Sequence, residues 1–212
     1  MAALHRLTVV KVGGSLAERG DPRPLMAALA DLAPRHPLLV VPGGSDFAET
    51  VRHAAARFAL SEPRAHWMAL LAMDQYGLLL AELGAGVPTP RLDDAVRTAR
   101  EGRLAVLLPS NAVLRSPLPW TWQVTSDAIA AWLAEEVRAT DLIILKDVDG
   151  MLDREGALRS RVDARDLEGV VDPSFSAWLP PGIRCRLING LLPDRLVHLL
   201  ETGETVGTEV RA

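Results

Sequence analysis

The two lysines are the most informative basic residues of this chain, because arginine provides all its other long basic side chains. Of 23 lysine and arginine residues, only Lys11 and Lys146 are lysines. Lys11 stands near the end of an apolar run and is soon followed by Gly13, Gly14 and Ser15. A compact ammonium and the N–H groups of a glycine turn can bind one phosphate together. The segment therefore indicates a phosphate-binding site; the alternative is a lysine that extends from a strand end into solvent.

A second glycine turn, at Gly43, Gly44 and Ser45, also follows a short apolar run. Neither turn has the spacing of a Walker A loop or of the Gly-x-Gly-x-x-Gly fingerprint. Glycine in such a turn can simply relieve crowding between a strand and a helix. Two turns of the same kind, both at strand exits, are less readily explained by crowding alone.

Two further segments place acidic side chains where they can do chemistry. Ser126 and Asp127 stand at a predicted helix start, where they can cap the helix, or orient a catalytic lysine or a substrate ammonium. Residues 146–150, Lys-Asp-Val-Asp-Gly, follow an apolar strand. This spacing lacks the remaining acidic ligands of an EF-hand, so a nucleotide-binding loop fits better than a calcium loop. A plain hydrophilic turn is the alternative.

Composition limits the classes of protein that this chain can form. Its 212 residues are 49% hydrophobic and carry a net charge of −4, so neither nucleic-acid binding nor binding to an anionic membrane is favoured. The single cysteine, Cys185, excludes an internal disulfide and a cysteine-based metal cluster. The sequence shows no secretory signal pattern and no apolar run long enough to cross a membrane. We therefore expect a cytoplasmic protein.

Short apolar runs alternate with amphipathic segments, which predicts a largely parallel sheet covered by helices on both faces. The expected fold class is α/β, a three-layer αβα sandwich with a mainly parallel open sheet, in one domain over residues 1–212. Strands are predicted at 7–12, 38–41, 104–108, 142–145, 185–188 and 208–210, with a hairpin around 153–161. Helices are predicted at 22–33, 46–59, 62–83, 92–100, 126–137 and 193–200, with Ser61 capping the third and Thr125 or Ser126 the fifth.

The expected position of a ligand follows from this fold class. In open α/β sheets, ligands bind beyond the carboxyl ends of the strands, where the chain turns into helices. Both glycine turns and the segment 146–150 stand at such ends. We therefore expect them to line that crevice.

Five motifs occur in the order found in the amino acid kinase superfamily, which the chain resembles over nearly its whole length. They are Val-Val-Lys-Val-Gly-Gly-Ser-Leu (9–16), Val-Val-Pro-Gly-Gly-Ser (40–45), Thr-Ser-Asp-Ala-Ile-Ala-Ala-Trp-Leu-Ala (125–134), Leu-Lys-Asp-Val-Asp-Gly (145–150) and Gly-Thr-Glu-Val (207–210). The superfamily includes acetylglutamate, aspartate, uridylate and carbamate kinases. Segments 66–75, 122–127 and 187–193 are most similar to a subgroup that phosphorylates aminomethylfuranyl-methyl phosphate in methanofuran-type cofactor synthesis. A uridylate or carbamate kinase would differ from it in the acceptor alone.

The resemblance implies a kinase that uses ATP, with Mg²⁺ carried chiefly by the phosphates, acts on a small-molecule acceptor and forms a homo-oligomer. Lys11 would bridge the transferred phosphoryl group, and Asp127 would orient that lysine. The acceptor would lie over residues 1–125 and the nucleotide over 126–212. The implied nucleotide-binding residues are Gly13, Gly14, Ser15, Lys146, Asp147, Asp149 and Gly150, and the implied substrate-binding residues are Gly43, Gly44, Ser45, His66 and Ser126.

One histidine and two tryptophans add weaker signals. His66, near the start of the long predicted helix, is either a polar group on the helix face or a substrate contact. Trp120 and Trp122 stand in a proline-rich loop. They can stack on a flat ring such as furan, or they can pack the loop itself.

Two positions depart from the family pattern. The family usually has a second lysine in the C-terminal third that acts on the leaving phosphate, yet no lysine follows Lys146. Arg184, Arg186 or Lys146 itself would fill that role, or no residue would. Ser45 stands where a third glycine is common. Loss of a transition-state charge partner costs about 3–4 kcal/mol, so the alternative function is a weakened or inactive nucleotide- or metabolite-binding protein that serves as a subunit or regulator.

Overall fold

The fold is built on one mostly parallel sheet. The computed structural model describes residues 6–167 and 169–212, and within them eight strands form this sheet. The strands are β1 Thr8–Val12, β2 Leu38–Pro42, β3 Val87–Thr89, β4 Ala105–Leu107, β5 Asp141–Lys146, β6 Arg161–Asp163, β7 Arg184–Asn189 and β8 Thr208–Arg211. Their order across the sheet is β3-β4-β2-β1-β5-β7-β8-β6. Neighbouring strands run parallel except β7 and β8, which are antiparallel.

Helices connect most of the strands and lie on both faces of the sheet. They are α1 Ser15–Arg19, α2 Arg23–Leu32, α3 Ser45–Phe58, α4 Glu62–Leu83, α5 Leu92–Arg100, α6 Ser110–Val113, α7 Ser126–Glu136, α8 Phe175–Trp178 and α9 Pro193–Thr202, with a 3₁₀ turn at Ala164–Asp166.

Alternate residues of the central strands point to opposite faces and enter two separate cores. Val9 and Leu142 pack in one core with residues of α5 and α7. Val10 and Ile143 pack in the other core with residues of α2 and α9. The central strands are therefore buried on both sides, as expected for a parallel sheet between two helical layers. The predicted three-layer α/β fold with a mainly parallel sheet is confirmed.

The long predicted elements are observed within one or two residues of their predicted bounds, whereas the short ones were missed. Helices α1, α6 and α8 and strands β3 and β6 were not predicted. Strand β3 contains Pro88 and β6 has three residues, and both lie at sheet edges, where the pattern of a buried strand is absent. The predicted hairpin was wrong in its extent. Its antiparallel contact is the single bridge between Leu152 and Leu158, and the chain from Arg161 pairs in parallel with β8.

The topology places three turns beside one another. Strand β1 pairs with β2 on one side and with β5 on the other. Val12 stands opposite both Pro42 and Leu145, so the segments that follow these three strands begin at the same level. The strand order reverses between β1 and β5, which is the position where open α/β sheets form a ligand crevice.

Candidate active site

The two glycine turns pack directly against each other. The N–H of Gly43 donates to the carbonyl of Val12 at 2.8 Å. A Cβ on Gly43 would lie 2.7 Å from the backbone nitrogen of Gly14, and a Cβ on Gly14 would overlap the backbone of Ser45. Glycine is therefore required at both positions by the close approach of two backbones. The turns after β1 and β2 form one continuous lining, which we call the glycine cradle (residues 13–15 and 43–45).

Ser45 has a conformation that explains why a glycine is expected there. Its φ is +48°, in the left-handed region that side chains disfavour. The serine therefore stores about 1 kcal/mol of backbone strain that glycine would not. Ser45 also begins α3, a 14-residue helix whose first N–H groups open toward the crevice end of the sheet.

Beneath the cradle lies a cluster of three charges. The Lys11 ammonium is 2.7 Å from Oδ1 of Asp127, and the Lys146 ammonium is 2.7 Å from Oδ2 of the same carboxylate. Lys11 and Asp127 are each only 2% exposed. The lysine side chain thus turns inward, and the alternative that it extends from a strand end into solvent was wrong.

The charges of this cluster shift one another's titration. Burial alone would raise the pKa of Asp127, but the ammonium groups of Lys11 and Lys146 outweigh it and hold that pKa below its ordinary value. Burial lowers the pKa of Lys11, which Asp127 offsets in part and the neighbouring Lys146 charge reinforces. One carboxylate is therefore shared between two cations, either of which can also attract a phosphate.

Lys146 reaches this cluster because β5 is the direct neighbour of β1. Lys146 is the last residue of β5, and its side chain is 17% exposed. Of the three residues considered as replacements for the second family lysine, Lys146 is therefore the one that lies beside Lys11.

Neither of the arginines considered for that role lies there. Arg184 begins β7 and binds Asp141, which stands opposite Thr8 at the start of β1. Thr8 lies three residues before Lys11 on the same strand, a distance of roughly 10 Å. Arg186 pairs with Glu209 of the antiparallel strand β8, at 3.3 Å. The suggestion that Arg184 or Arg186 supplies the second cation was wrong, because both pair with carboxylates elsewhere and neither lines the cavity that contains Lys11.

Asp172 supports the cluster and was missed from the sequence. Its own N–H donates to Oδ2 of Asp127 at 3.2 Å, while its carboxylate accepts from the N–H and Oγ1 of Thr125 and from the N–H of Ala128. Burial raises the pKa of Asp172, and the nearby Asp127 raises it further against those donors. The available signal was an aspartate before a proline in a loop, a common capping residue type.

This arrangement corrects two predicted helix caps. Thr125 is the N-cap residue of α7, but neither it nor Ser126 supplies a side-chain cap; Asp172 caps the helix from a distant loop. Ser61 is the N-cap residue of α4 and likewise makes no side-chain cap. The first-turn carboxylate of Glu62 instead accepts from the N–H of Trp122 at 2.8 Å, which ties the loop before α7 to α4.

The segment after β5 adjoins the first glycine turn. Oδ1 of Asp147 accepts from the Ser15 hydroxyl at 2.9 Å, and its Oδ2 is 2.8 Å from Arg19. Burial would raise the pKa of Asp147, but these donors together hold it below its ordinary value. Asp149 turns the other way and binds Asn189 and Arg195, the latter at 2.7 Å. The two aspartates of this segment therefore fix it to two different parts of the fold.

Gly150 completes the segment in a backbone conformation that favours glycine. Its φ is +145°, and a Cβ there would lie 2.5 Å from the hydroxyl of Thr208. The glycine thus lets the segment approach Thr208, which begins β8 and belongs to the Gly-Thr-Glu-Val motif.

A cavity of about 220 Å³ opens above the charge cluster. Ten of the predicted site residues line it: Lys11, Gly13, Gly14, Ser15, Gly44, Ser45, His66, Ser126, Asp127 and Lys146. Gly43, Asp147, Asp149 and Gly150 lie outside its lining. The cavity also contains residues that the sequence did not single out, notably Glu49, Arg52 and the apolar side chains of Leu70 and Met73.

The two tryptophans of the proline-rich loop have different surroundings. Trp122 lines the cavity, with the Arg52 guanidinium 5.3 Å from its ring centroid. Trp120 stacks on Trp67 at 5.9 Å, which packs the loop onto α4. Of the two predicted alternatives, loop packing applies to Trp120, and Trp122 is the tryptophan available to a ligand.

The described residues provide neither a side-chain cluster for a metal ion nor a helix that could cross a membrane. No group of three or more histidine, cysteine, aspartate or glutamate side chains is arranged to hold a metal ion in residues 6–167 and 169–212. None of the helices in that part of the chain is long and apolar enough to cross a membrane.

A protein-family model described as the amino acid kinase family matches residues 6–176. Because this match spans most of the chain, the protein belongs to the amino acid kinase family and is a phosphotransferase. It is similar to the 5-(aminomethyl)furan-3-yl-methyl phosphate kinase of Methanocaldococcus jannaschii, at 30% identity over 95% of this chain and 96% of that protein. The predicted family resemblance is confirmed.

Two uridylate kinases extend the comparison. The enzyme of Methanococcoides burtonii is 31% identical over 78% of this chain and 72% of its own length. The crystal structure of UMP kinase from Ureaplasma parvum superposes with a TM-score of 0.78 at 16% identity, covering 99% of this chain and 97% of that one. At that identity the second similarity establishes the fold alone.

Proposed function

We propose that this protein transfers the γ-phosphoryl group of ATP to the phosphate of a small aminofuran, in the biosynthesis of a methanofuran-type cofactor. The observation that carries the proposal is the pair of ammonium groups on Asp127 beneath the glycine cradle. The similarity to the aminofuran phosphate kinase supports the choice of acceptor. An oxygen of the acceptor phosphate attacks the γ-phosphorus, the bond to the β-phosphate oxygen breaks, and ADP and a diphosphate ester leave.

The residues present fit this chemistry, because phosphoryl transfer needs alignment and charge neutralisation rather than a covalent nucleophile. Lys11 stabilises the transferred group, Lys146 stabilises the leaving β-phosphate, and Asp127 holds both ammonium groups in place. The N–H groups of the glycine cradle donate to phosphate oxygens. Bound Mg²⁺ would neutralise further phosphate charge, with the phosphates as its main ligands.

We assign the two substrates to the two parts of the chain. The acceptor phosphate lies at Gly43, Gly44 and Ser45, where the positive end of the α3 dipole adds to the N–H donors. The nucleotide lies over residues 126–212, along the segment 146–150. We propose that the reaction takes place in the cytoplasm, where ATP is supplied.

The inactive alternative rested on the missing second lysine. The position of Lys146, 2.7 Å from the carboxylate that also holds Lys11, supports an active enzyme instead. A coupled assay of ADP release with Mg²⁺-ATP tests the proposal against its rivals. We expect turnover with 5-(aminomethyl)furan-3-yl-methyl phosphate and none with UMP or carbamate. ATP binding without turnover of any acceptor would favour the binding protein, and turnover of UMP would replace the acceptor.

The glycine cradle gives a separate prediction. We expect Gly14→Ala to weaken ATP binding about tenfold or more, because the new Cβ must push the two turns apart. The matched control is Ser45→Gly, which removes a Cβ from the same contact and relieves the left-handed φ. It should bind ATP within about twofold of the wild type and gain up to about 1 kcal/mol of stability. Calorimetric titration measures the affinity for ATP, and urea unfolding measures stability. Normal ATP binding by Gly14→Ala would contradict the proposed role of the glycine cradle.

We also propose that the protein forms a homodimer through the outer face of α4. Leu71, Leu78 and Leu79 are 41%, 50% and 40% exposed and lie along one side of that helix. Light scattering of the purified protein should give a mass of about twice the 22.9 kDa of the chain. A mass of one chain across the micromolar range would rule the dimer out.

A further inference from the structure

His66 is a buried polar side chain, and one of its ring nitrogens makes no hydrogen bond to the part of the chain that the structure describes. It lies in the first turns of α4, is 3% exposed, and lines the same cavity as Lys11. Its Nδ1 is 2.9 Å from the carbonyl oxygen of Thr121. Its Nε2 has no hydrogen-bond partner among the described residues. Such buried polar atoms are normally paired, so this nitrogen is suited to a ligand.

The partner of Nδ1 determines what Nε2 can bind. A carbonyl oxygen only accepts hydrogen bonds, so Nδ1 carries the hydrogen and donates it to Thr121. Burial lowers the pKa of the His66 ring, which is therefore neutral at neutral pH. In the neutral ring with a hydrogen on Nδ1, Nε2 is a hydrogen-bond acceptor. It cannot donate to a phosphate oxygen, and it is complementary to an N–H or O–H group.

The rest of the cavity determines which end of the acceptor reaches His66. The ammonium groups and the glycine cradle attract the phosphate of the acceptor. The remaining wall contains Trp122, which offers a flat face to a ring, and apolar side chains such as Leu70 and Met73. Glu49 and Arg52 line the same cavity and pair with each other, so they offset each other's charge there. A substrate held by its phosphate in the glycine cradle therefore presents its opposite end to Nε2 of His66, which accepts hydrogen bonds.

We propose that Nε2 of His66 accepts a hydrogen bond from a primary amine at the end of the acceptor opposite its phosphate, and so selects aminated acceptors. This inference rests on the proposed function, because it assumes that the acceptor phosphate occupies the glycine cradle. Beyond that function, it specifies that Nε2 of His66 recognises the amine and that the amine donates the hydrogen bond.

Steady-state kinetics with two acceptors test the selection. The probes are 5-(aminomethyl)furan-3-yl-methyl phosphate and its 5-methyl analogue, which lacks the amine. The wild type should prefer the aminated compound. His66→Phe should lower kcat/KM for the aminated compound by roughly 5- to 150-fold, the effect of one lost buried hydrogen bond, and leave the methyl compound within about twofold. His66→Gln, whose side-chain oxygen can accept, should restore part of the preference. Equal losses with both compounds would show a structural role and overturn the inference.

A second measurement separates failure of this inference from failure of the proposed function. ¹⁵N NMR of the wild type reports which ring nitrogen of His66 carries the hydrogen. We expect hydrogen on Nδ1, and a shift of the Nε2 signal when the aminated compound binds but not when the methyl compound binds. Hydrogen on Nε2, or no response to the amine, overturns the inference even if turnover occurs. Absence of turnover with an intact Nε2 response overturns the proposed function and leaves the role of His66 standing.

Discussion

Replacing either lysine of the charge cluster by methionine is expected to lower kcat by about 10²- to 10³-fold, with the fold intact. In the proposed mechanism each ammonium group faces charge that develops on a phosphate in the transition state, and loss of one such partner costs about 3–4 kcal/mol. Lys11→Met removes the charge at the transferred group, and Lys146→Met removes it at the leaving phosphate. Calorimetric titration should show that ATP binding weakens far less than turnover falls, because the glycine cradle remains.

Arg184→Met is the matched control for Lys146→Met, because both remove a cation at the end of a side chain on neighbouring strands. Arg184 binds Asp141 at the opposite edge of the sheet, so its replacement should leave kcat within about twofold. Lys11→Arg should not rescue activity, because a planar guanidinium does not fit the position of a buried ammonium 2.7 Å from Asp127. Normal turnover by Lys146→Met, or a large loss with Arg184→Met, would show that the second cation has been misassigned.

Asp127→Asn is expected to cost about 3–5 kcal/mol of unfolding free energy, as well as activity. The substitution keeps the shape of the side chain but leaves two ammonium groups in a buried site without their carboxylate. Urea unfolding measures the loss. The same substitution at Asp94, which pairs with Arg97 on the surface of α5, should change stability by less than about 0.5 kcal/mol. If the two variants lose equal stability, the buried cluster is not held by Asp127.

The pH dependence of this loss has a defined sign. The pKa of Asp127 lies below its ordinary value, so its contribution to stability is complete above about pH 4 and is lost as the pH falls through the folded-state pKa. The difference in unfolding free energy between the wild type and Asp127→Asn should therefore be largest near pH 7 and decrease as the pH falls below about 4. The pKa of Lys11 is lowered, so between its folded-state pKa and about 10.4 the unfolded chain binds more protons, and stability rises with pH in that interval.

The sequence was sufficient for the fold class and for the local parts of the site. Apolar runs predicted the central strands, because a strand buried on both faces leaves a continuous hydrophobic pattern. Gly13, Gly14, Gly43 and Gly44 were visible because a turn that must approach another backbone restricts residue type locally. Edge strands such as β3, with Pro88, lack that pattern and were missed.

The parts that could not be predicted depend on which strands are neighbours. The sequence placed Lys146 at the nucleotide and left it as one of three candidates for the second cation, with Arg184 and Arg186. To choose among the three, one must know that β5, rather than β7, adjoins β1. Asp172 contacts Thr125 and Asp127 across more than forty residues of sequence, and a loop aspartate carries no pattern that identifies a distant partner. The free nitrogen of His66 depends on the position of one carbonyl in another loop. No spacing along the chain encodes such a contact.

If the substrates occupy the proposed positions, the backbone contact between Gly14 and Ser45 makes their binding interdependent. In the proposed function one turn serves the nucleotide and the other the acceptor, and no side chain lies between the two backbones to absorb a displacement. We expect a movement that one ligand imposes on its turn to displace the other turn, so that the affinity for each substrate depends on whether the other is present. By thermodynamic reciprocity, the factor by which ATP changes acceptor affinity equals the factor by which the acceptor changes ATP affinity. The proposed function therefore predicts cooperative binding of two unlike substrates within a single chain, from a contact that otherwise looks like a packing requirement.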